Sequence, residues 1–289
     1  MRSDGPRRPF VLGRRGSVVL VLAALAVVAW FALDLAPSLL VPRAGGAGIA
    51  KDFFAAALTP ALDYESDAVP SGAPPFLLRL LDALRRTVVF AAAAMSLALV
   101  GGIVLGFLAS TSWWATDPVR GNALRRSLGP AVQVATRFLI ALMRSVHELL
   151  WAVIFLAAFG LSTAAAVVAL AIPFAGTLAK VFSEILDEAP TDAAFALRSA
   201  GAAPAQIFLA GTLPRAAPDM AAYAFYRFEC CVRSSAILGF FGYETLGYYL
   251  RLSFENLHYR EVWTHLYALL ALVVVLEVWS SLLRRRFVA

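Results

Sequence analysis

Asp192-Ala-Ala-Phe-Ala-Leu-Arg-Ser-Ala-Gly201, followed after an Ala/Pro-containing spacer by Gly211-Thr-Leu-Pro214, is a charged stretch punctuated by glycine and proline between two long apolar runs. About 20 consecutive apolar residues are needed to cross a bilayer as a helix. Irregular backbone facing lipid is not tolerated, because its N–H and C=O groups would go unpaired there. The stretch therefore lies outside the bilayer while its flanks lie within it. An island of this kind is suited to touching a partner.

Composition gives the class. Hydrophobic residues make up 61% of the chain and charged residues 15%, and the mean hydropathy is +0.75, well beyond a soluble domain. These values describe an all-α polytopic membrane protein, and 289 residues accommodate one membrane domain. The net charge of +6 comes from arginines that cluster at the ends of apolar runs, where membrane topology places them. No basic stripe on a soluble domain offers a nucleic-acid partner. Cys230 and Cys231 are adjacent, a poor geometry for a disulfide, and read as packing residues.

Six apolar runs follow from the pattern. The first, about Ser17 to Val41, follows five arginines and lacks a clear cleavage site, so it reads as an uncleaved anchor with the N-terminus in the cytoplasm. Pro42 to Pro75 reads as an outside loop, in which Phe53, Phe54 and Leu58 suggest a short helix on the membrane surface. A second span, about Ala83 to Ala109, is rich in small residues that allow close helix contact. It ends at Trp113 and Trp114, which suit an interfacial belt, and at a cytoplasmic loop with Arg120, Arg125 and Arg126. The third run, Ala131 to Gly160, is interrupted by Arg144-Ser-Val-His-Glu148. Charges at that depth require an irregular, inward-facing segment. The fourth, Ser162 to Leu186, contains Pro173 and Gly176, which suggest a bend. The fifth, Ala216 to Phe241, carries Arg227, Glu229 and Arg233, and the sixth, about Val262 to Leu283, ends in Arg284-Arg285-Arg286. Six spans put both termini and nearly every arginine cluster on the cytoplasmic side.

Several chemistries are excluded. A phosphate-cradling loop needs a lysine after glycine, and the only lysines, Lys51 and Lys180, follow none. His147-Glu148-Leu-Leu-Trp151 lacks the second histidine of a zinc protease helix. His258 and His265 are isolated, and no nucleophile dyad stands out. The chain reads as non-enzymatic, without a metal or cofactor of its own.

Glu229 and Arg233 are four apart, glutamate first, and can pair on one helix face, leaving Arg227 pointing elsewhere. Ionisable groups inside a membrane often line a pathway, and a planar guanidinium can pair with an oxyanion through two donors.

Three segments together resemble the permease subunit of bacterial ABC importers, in its phosphonate-type branch. The family's loop follows E-A-A-x-x-x-G, nine residues, then I-x-L-P. Here Ala196, Gly201, Leu213 and Pro214 match, Phe195 stands at the Glu position, Leu197 at the second Ala and Gly211 at the Ile. Leu142 to Trp151 is similar to R-S-x-P-E-L-x-W, with His147 at the proline. Tyr226 to Gly239 is similar to Y-R-F-E-x-N-x-R-x-x-x-x-L-G. A small G-A-G-G-I-G loop of the family is here Gly242-Tyr-Glu-Thr-Leu-Gly247. Bulky Tyr243 and charged Glu244 are expected to narrow or recharge it.

The resemblance implies a type I importer permease fold, with residues 1–75 as tail, first span and outer loop, and 76–289 as the core containing a coupling loop at 189–214. It implies ATPase contacts at Asp192, Ala196, Leu197, Arg198, Gly201, Leu213 and Pro214. Arg144, Ser145, Glu148, Arg227, Glu229 and Arg233 would line the pathway, and Gly242, Tyr243, Glu244 and Gly247 a gate loop. Implied partners are an ATPase dimer that binds the ATP and Mg, an external substrate-binding protein, and a second permease, identical or paralogous, in the cytoplasmic membrane. The coupling loop is expected to form two short helices joined at a Gly201 turn. The cargo implied is phosphonate or a related phosphorus oxyanion such as phosphite. A permease for another small solute is the nearest alternative. A secondary transporter is further off, since no inverted repeat is evident, and a scaffold would leave Arg227 and the island without a role.

Overall fold

Backbone in lipid must satisfy its own hydrogen bonds, and the described residues (14–35, 45–66, 69, 72–115 and 123–288) of a computed structural model form helices with no strand among them. In chain order these are α1 (Arg14–Ala32), α2 (Gly46–Ala56), α3 (Phe76–Ala109), α4 (Thr111–Ala115), α5 (Ala123–Ser145), α6 (Glu148–Phe159), α7 (Thr163–Glu188), α8 (Asp192–Ser199), α9 (Pro204–Gln206), α10 (Leu213–Ile237), α11 (Leu246–Glu255) and α12 (Tyr259–Val288). A π-helical turn, Ile207–Thr212, leads into α10, and a 3₁₀ turn, Leu238–Phe241, follows it.

The chain divides into two compact units, Met1–Ala55 and Ala56–Ala289. In the first, α1 is apolar and exposed along its described side chains. It ends at Ala32 rather than near Val41; residues 36–44 lie outside the described part. In α2, Phe53 and Phe54 meet edge to face at 5.4 Å between ring centroids. Leu58 falls beyond the helix end, so a short helix is present here but ends before the last residue of the three-residue pattern.

In the second unit, α3 turns a stripe of small residues inward: Ala91, Ala94, Ala98, Gly102, Gly106 and Ala109 are all buried. Their three- and four-residue spacing keeps them on one face. Across from them run Leu178, Ala179 and Phe182 of α7, also buried. A Cβ added at Gly102 would stand 2.6 Å from Leu178 Cβ, and one at Gly106 would stand 3.0 Å from Phe182 Cβ. Lipid is as apolar as leucine, so helix association in a membrane depends on such close packing. α7 is the central helix: two thirds of its apolar window (67%) is buried, against 28% for α3 and 6% for α12. α7 also runs uninterrupted through Pro173. Gly176 is a contact point, where a Cβ would lie 2.8 Å from Met143 Cβ on α5.

α5 and α6 meet at an 87° bend, at the charged Arg144 to Glu148 segment where an irregular backbone was expected. His147 caps α6: its Nδ1 accepts from Leu149 N at 3.3 Å. Its φ of −64° is also proline's value, which accounts for histidine standing where the resembling pattern has proline. The segment after α2 laces onto α12. Thr264 Oγ1 donates to Ala61 O (2.7 Å), Arg260 Nε to Thr59 O (2.8 Å) and Tyr267 Oη to Ala57 O (2.9 Å).

By length and apolarity α3, α7 and Tyr259–Leu283 of α12 can each cross a membrane, and the bent α5–α6 pair makes a fourth crossing if it is one span. α1 is apolar but shorter, and α10 carries Arg215, Asp219, Arg227, Glu229 and Arg233. Apolarity alone thus supports three or four of the six expected spans. Gly102→Ala should destabilise the protein by about 1–3 kcal/mol through overpacking. A thermal-stability assay in detergent should show a clear drop in midpoint, whereas Gly48→Ala, which meets nothing within 4 Å, should leave it unchanged.

Candidate functional site

The island between α7 and α10 folds as the sequence suggested, as two short helices around a glycine. Gly201 has φ +80°, a conformation glycine reaches without strain. Its N–H bonds to Arg198 O and that of Ala202 to Leu197 O, both at 3.0 Å, the paired closure of a Schellman cap. Asp192 sits in the first turn of α8 and Arg198 in its last, each complementing the helix dipole. The Gln206 side chain accepts from Ala203 N at 2.9 Å and fixes the start of α9.

The π turn has a local cause. Pro214 has no N–H and its ring would press on the carbonyl four residues back. The preceding turn widens, and Leu213 N bonds to Phe208 O five residues earlier.

The two departures at Leu197 and Gly211 explain each other. α8 lies so close on the π turn that a Cβ at Gly211 would be 3.1 Å from the backbone of Ala194 and 3.4 Å from Leu197 Cδ1. The larger side chain at 197 fills the space left by the missing one at 211. Phe195, at the glutamate position, points outward and is 71% exposed, so an apolar ring replaces a carboxylate on the outer face of the loop.

Asp187, near the end of α7, anchors the neighbouring turn. Its carboxylate accepts from Ser110 Oγ (2.7 Å), Thr111 N (3.0 Å) and Ser112 N (2.9 Å). The two tryptophans, expected at the interface, are half-buried and partnered: Trp113 meets Phe107 at 4.3 Å and Phe208 at 5.4 Å, and Trp114 Nε1 donates to Leu108 O at 2.8 Å.

The proposed lining residues fall into separate groups. On α10, Arg233 Nη2 reaches Glu229 Oε1 at 3.4 Å, and the Glu229 side chain is only 14% exposed, so this pair forms as its spacing implied. Glu148 accepts from Ser234 Oγ at 3.0 Å and ties α6 to α10. Arg227 lies over the Phe174 ring at 5.1 Å, and its buried Nε has no hydrogen-bond partner among the described residues. An unsatisfied buried donor calls for a ligand or a structural account. Arg144 sits on α5 against α7, its Cγ 3.1 Å from where a Gly176 Cβ would be. The Ser145 hydroxyl bonds back to Leu142 O at 2.8 Å. Tyr223 is within electrostatic reach of both Arg227 and Arg144.

In the Gly242 to Gly247 loop, expected to be narrowed or recharged by Tyr243 and Glu244, both side chains have partners. Tyr243 turns inward, is 8% exposed, and donates to Ser162 O at 3.3 Å. Glu244 is held by Arg86 Nη1 at 2.7 Å, and Arg86 is itself paired with Asp82. The outer glycines are needed by the backbone: Gly242 has φ +100°, and Gly247 lies against Ala236 O too closely for a side chain. Buried hydroxyls that the sequence reading passed over hold this loop. Thr87 Oγ1 donates to Ala83 O (2.7 Å) and accepts from Leu246 N (3.0 Å), Ser235 Oγ donates to Thr87 O (2.8 Å), and Thr245 Oγ1 donates to Ala236 O (3.0 Å). Small hydroxyl residues in apolar helices were the available signal.

A packed helical core with ionisable groups at depth and a compact two-helix loop beyond one end of α7 is the build of a membrane transport permease. Residues 102–289 match the family described as binding-protein-dependent transport system inner membrane component, and the chain belongs to that family. It is 33% identical over 220 residues to a phosphite transport system permease protein of Stutzerimonas stutzeri, covering 75% of this chain and 73% of that one. It is 29% identical over 199 residues to a phosphate-import permease protein of Mycolicibacterium smegmatis, covering 69% of this chain but 35% of the relative. Among solved structures it resembles the MetNI methionine ABC transporter in an inward-facing conformation, with a TM-score of 0.60 and 24% identity over 74% of this chain and 99% of that one. The chain is thus a multi-pass inner-membrane component of a family whose transport depends on a binding protein.

The 197–211 exchange is open to a double-mutant cycle. Gly211→Ile should sharply lower the yield of folded protein, and Leu197→Ala alone should cost about 2–5 kcal/mol if the space cannot collapse. Combining them should recover part of both losses, as measured by thermal stability; strictly additive losses would mean that the side chains do not share the space.

Proposed function

We propose that the chain is the permease of an ATP-driven importer that carries phosphite, phosphonate or a related phosphorus oxyanion into the cytoplasm. The carrying observation is Arg227, a guanidinium stacked on Phe174 with a buried Nε donor left without an acceptor. Such a group is available to an oxyanion passing at depth and suits its geometry. The relatives named for phosphite and phosphate transport support the cargo class. Glu244 is paired with Arg86, so the loop departure does not argue for a different charge of cargo.

In this reading α1, α3, α5–α6, α7, α10 and α12 are six spans with both termini cytoplasmic. The island emerges on the cytoplasmic side, where α8 docks in a groove of the ATPase through Phe195, Ala196 and Arg198. ATP and Mg belong to that subunit, and this chain catalyses nothing and holds no cofactor. A second permease, identical or paralogous, completes the pathway, and an external binding protein supplies cargo. Closure of the ATPases turns the helices through α8 as a hinge-type switch. Glu229 and Arg233 tether α10, whereas Arg227 and Arg144 face the cargo. A lining that bound tightly could not release it.

Detergent-solubilised wild type should retain an ATPase subunit on co-purification. Gly201→Pro, which cannot adopt φ +80°, should abolish uptake of labelled phosphite. Arg227→Ala should lower uptake at least tenfold with the complex still assembled. Failure to retain any ATPase, together with normal uptake in Gly201→Pro, would reject the importer reading, and normal uptake in Arg227→Ala would assign that residue to scaffolding.

A further inference from the structure

A cavity of about 310 Å³ opens between α5 and α7, lined by Arg137 and Arg144 from one helix and Lys180, Glu184 and Asp187 from the other. The two arginines are seven residues apart, and the α7 groups recur at four and seven, so each set occupies one helix face. Three cations thus meet two carboxylates in an open groove between helices: the Arg137, Lys180 and Glu184 side chains are each about half exposed and Arg144 is exposed, so the groove is accessible from outside the helix core.

The carboxylates are committed unevenly. Glu184 forms an ion pair with Lys180 one turn away. Asp187 approaches Arg137 Nη2 at 3.8 Å, but its oxygens already receive the Ser110 hydroxyl and the Thr111 and Ser112 amides. Arg137 directs its Nε to Ala109 O at 3.0 Å. Among the described residues no carboxylate lies within 4.0 Å of Arg144. Its stem is seated by Gly176, where a Cβ would stand 3.1 Å from Arg144 Cγ. The backbone of α7 is therefore cleared for this arginine, which enters the cavity as its uncompensated cation.

We propose that this cavity is a low-affinity site for a phosphate-type oxyanion, with Arg144 and Lys180 as its two cationic ligands and Glu184 as the competitor that keeps it weak. This rests on the permease reading above, and adds a place where cargo pauses on its way along α7. The guanidinium fork of Arg144 supplies paired donors and Lys180 a mobile point charge. Glu184 holds Lys180 when the site is empty and takes it back when the anion leaves, so release needs no separate device. The same chemistry can be supplied by free oxyanion or by the headgroup of an anionic phospholipid.

The test uses the assembled complex in nanodiscs of phosphatidylcholine alone and of phosphatidylcholine with phosphatidylglycerol, with inorganic phosphite as probe. Lys180→Met should weaken phosphite binding at least fivefold, and Glu184→Gln should tighten it several-fold while slowing uptake. A purely structural ion pair would not move the two variants in opposite directions. Opposed shifts in phosphatidylcholine alone assign the site to free oxyanion. Opposed shifts confined to phosphatidylglycerol retained per complex, counted by native mass spectrometry, assign it to a headgroup. If both variants match wild type in phosphite affinity and retained lipid, or shift together, the site is refuted while the importer reading stands. A wild-type complex that retains no ATPase removes the importer reading itself.

Discussion

Everything in the second unit is referred to the approach of α3 and α7, whose backbones meet where Gly102 and Gly106 leave room for Leu178 and Phe182. A membrane gives helices no water-driven reason to associate, so contact quality decides whether they stay together. Once α7 is locked in this way, both of its faces acquire fixed neighbours. One carries Phe174 beneath Arg227, and the other presents Gly176, Lys180, Glu184 and Asp187 toward α5. The end of the same helix holds the Ser110 to Ser112 turn and leads directly into α8. A rotation of α7 would move Arg227's ring partner, the α5-facing groove and α8 together, which is the coupling that the proposed import reading requires.

Features governed by neighbours in sequence were legible before the structure. Gly201 marked the turn between two short helices, Arg144 to Glu148 marked the break, and the spacing of Glu229 and Arg233 gave their pairing. The small residues of α3 announced a close contact without naming the partner. What sequence could not supply were relations across long intervals. Glu244 looks like a new charge in its loop, but Arg86, 158 positions earlier, pairs with it. Tyr243 looks obstructive, but Ser162, 81 positions earlier, accepts its hydroxyl. Trp113 and Trp114 suit the interface as amphipathic rings, but the sequence did not name Phe107 and Phe208 as the rings that Trp113 meets.

The same limit applies to the lining. Arginines at depth were conspicuous, but the division of Arg144 from Arg227 depends on which side of α7 each meets. Lys180 was noticed only as a lysine outside any phosphate loop, because its significance lies in facing a different helix. Long-range electrostatics in a low-dielectric core depend on such arrangements more than on the number of charges.

The π turn before Pro214 has a consequence for chain length. Such a turn holds one residue more than an α-helical ring, and so stores an extra residue without turning the helices on either side. Deleting a residue inside Ile207–Thr212 would restore the tighter ring and drive the Pro214 ring against Ala210 O. Deleting one elsewhere in the adjoining helices would rotate α8 by about 100° against α10, the angle of one residue, and swing Phe195 off its face. The interval from Gly201 to Pro214 is therefore set as a phase rather than a reach, and it resists insertion and deletion along its length.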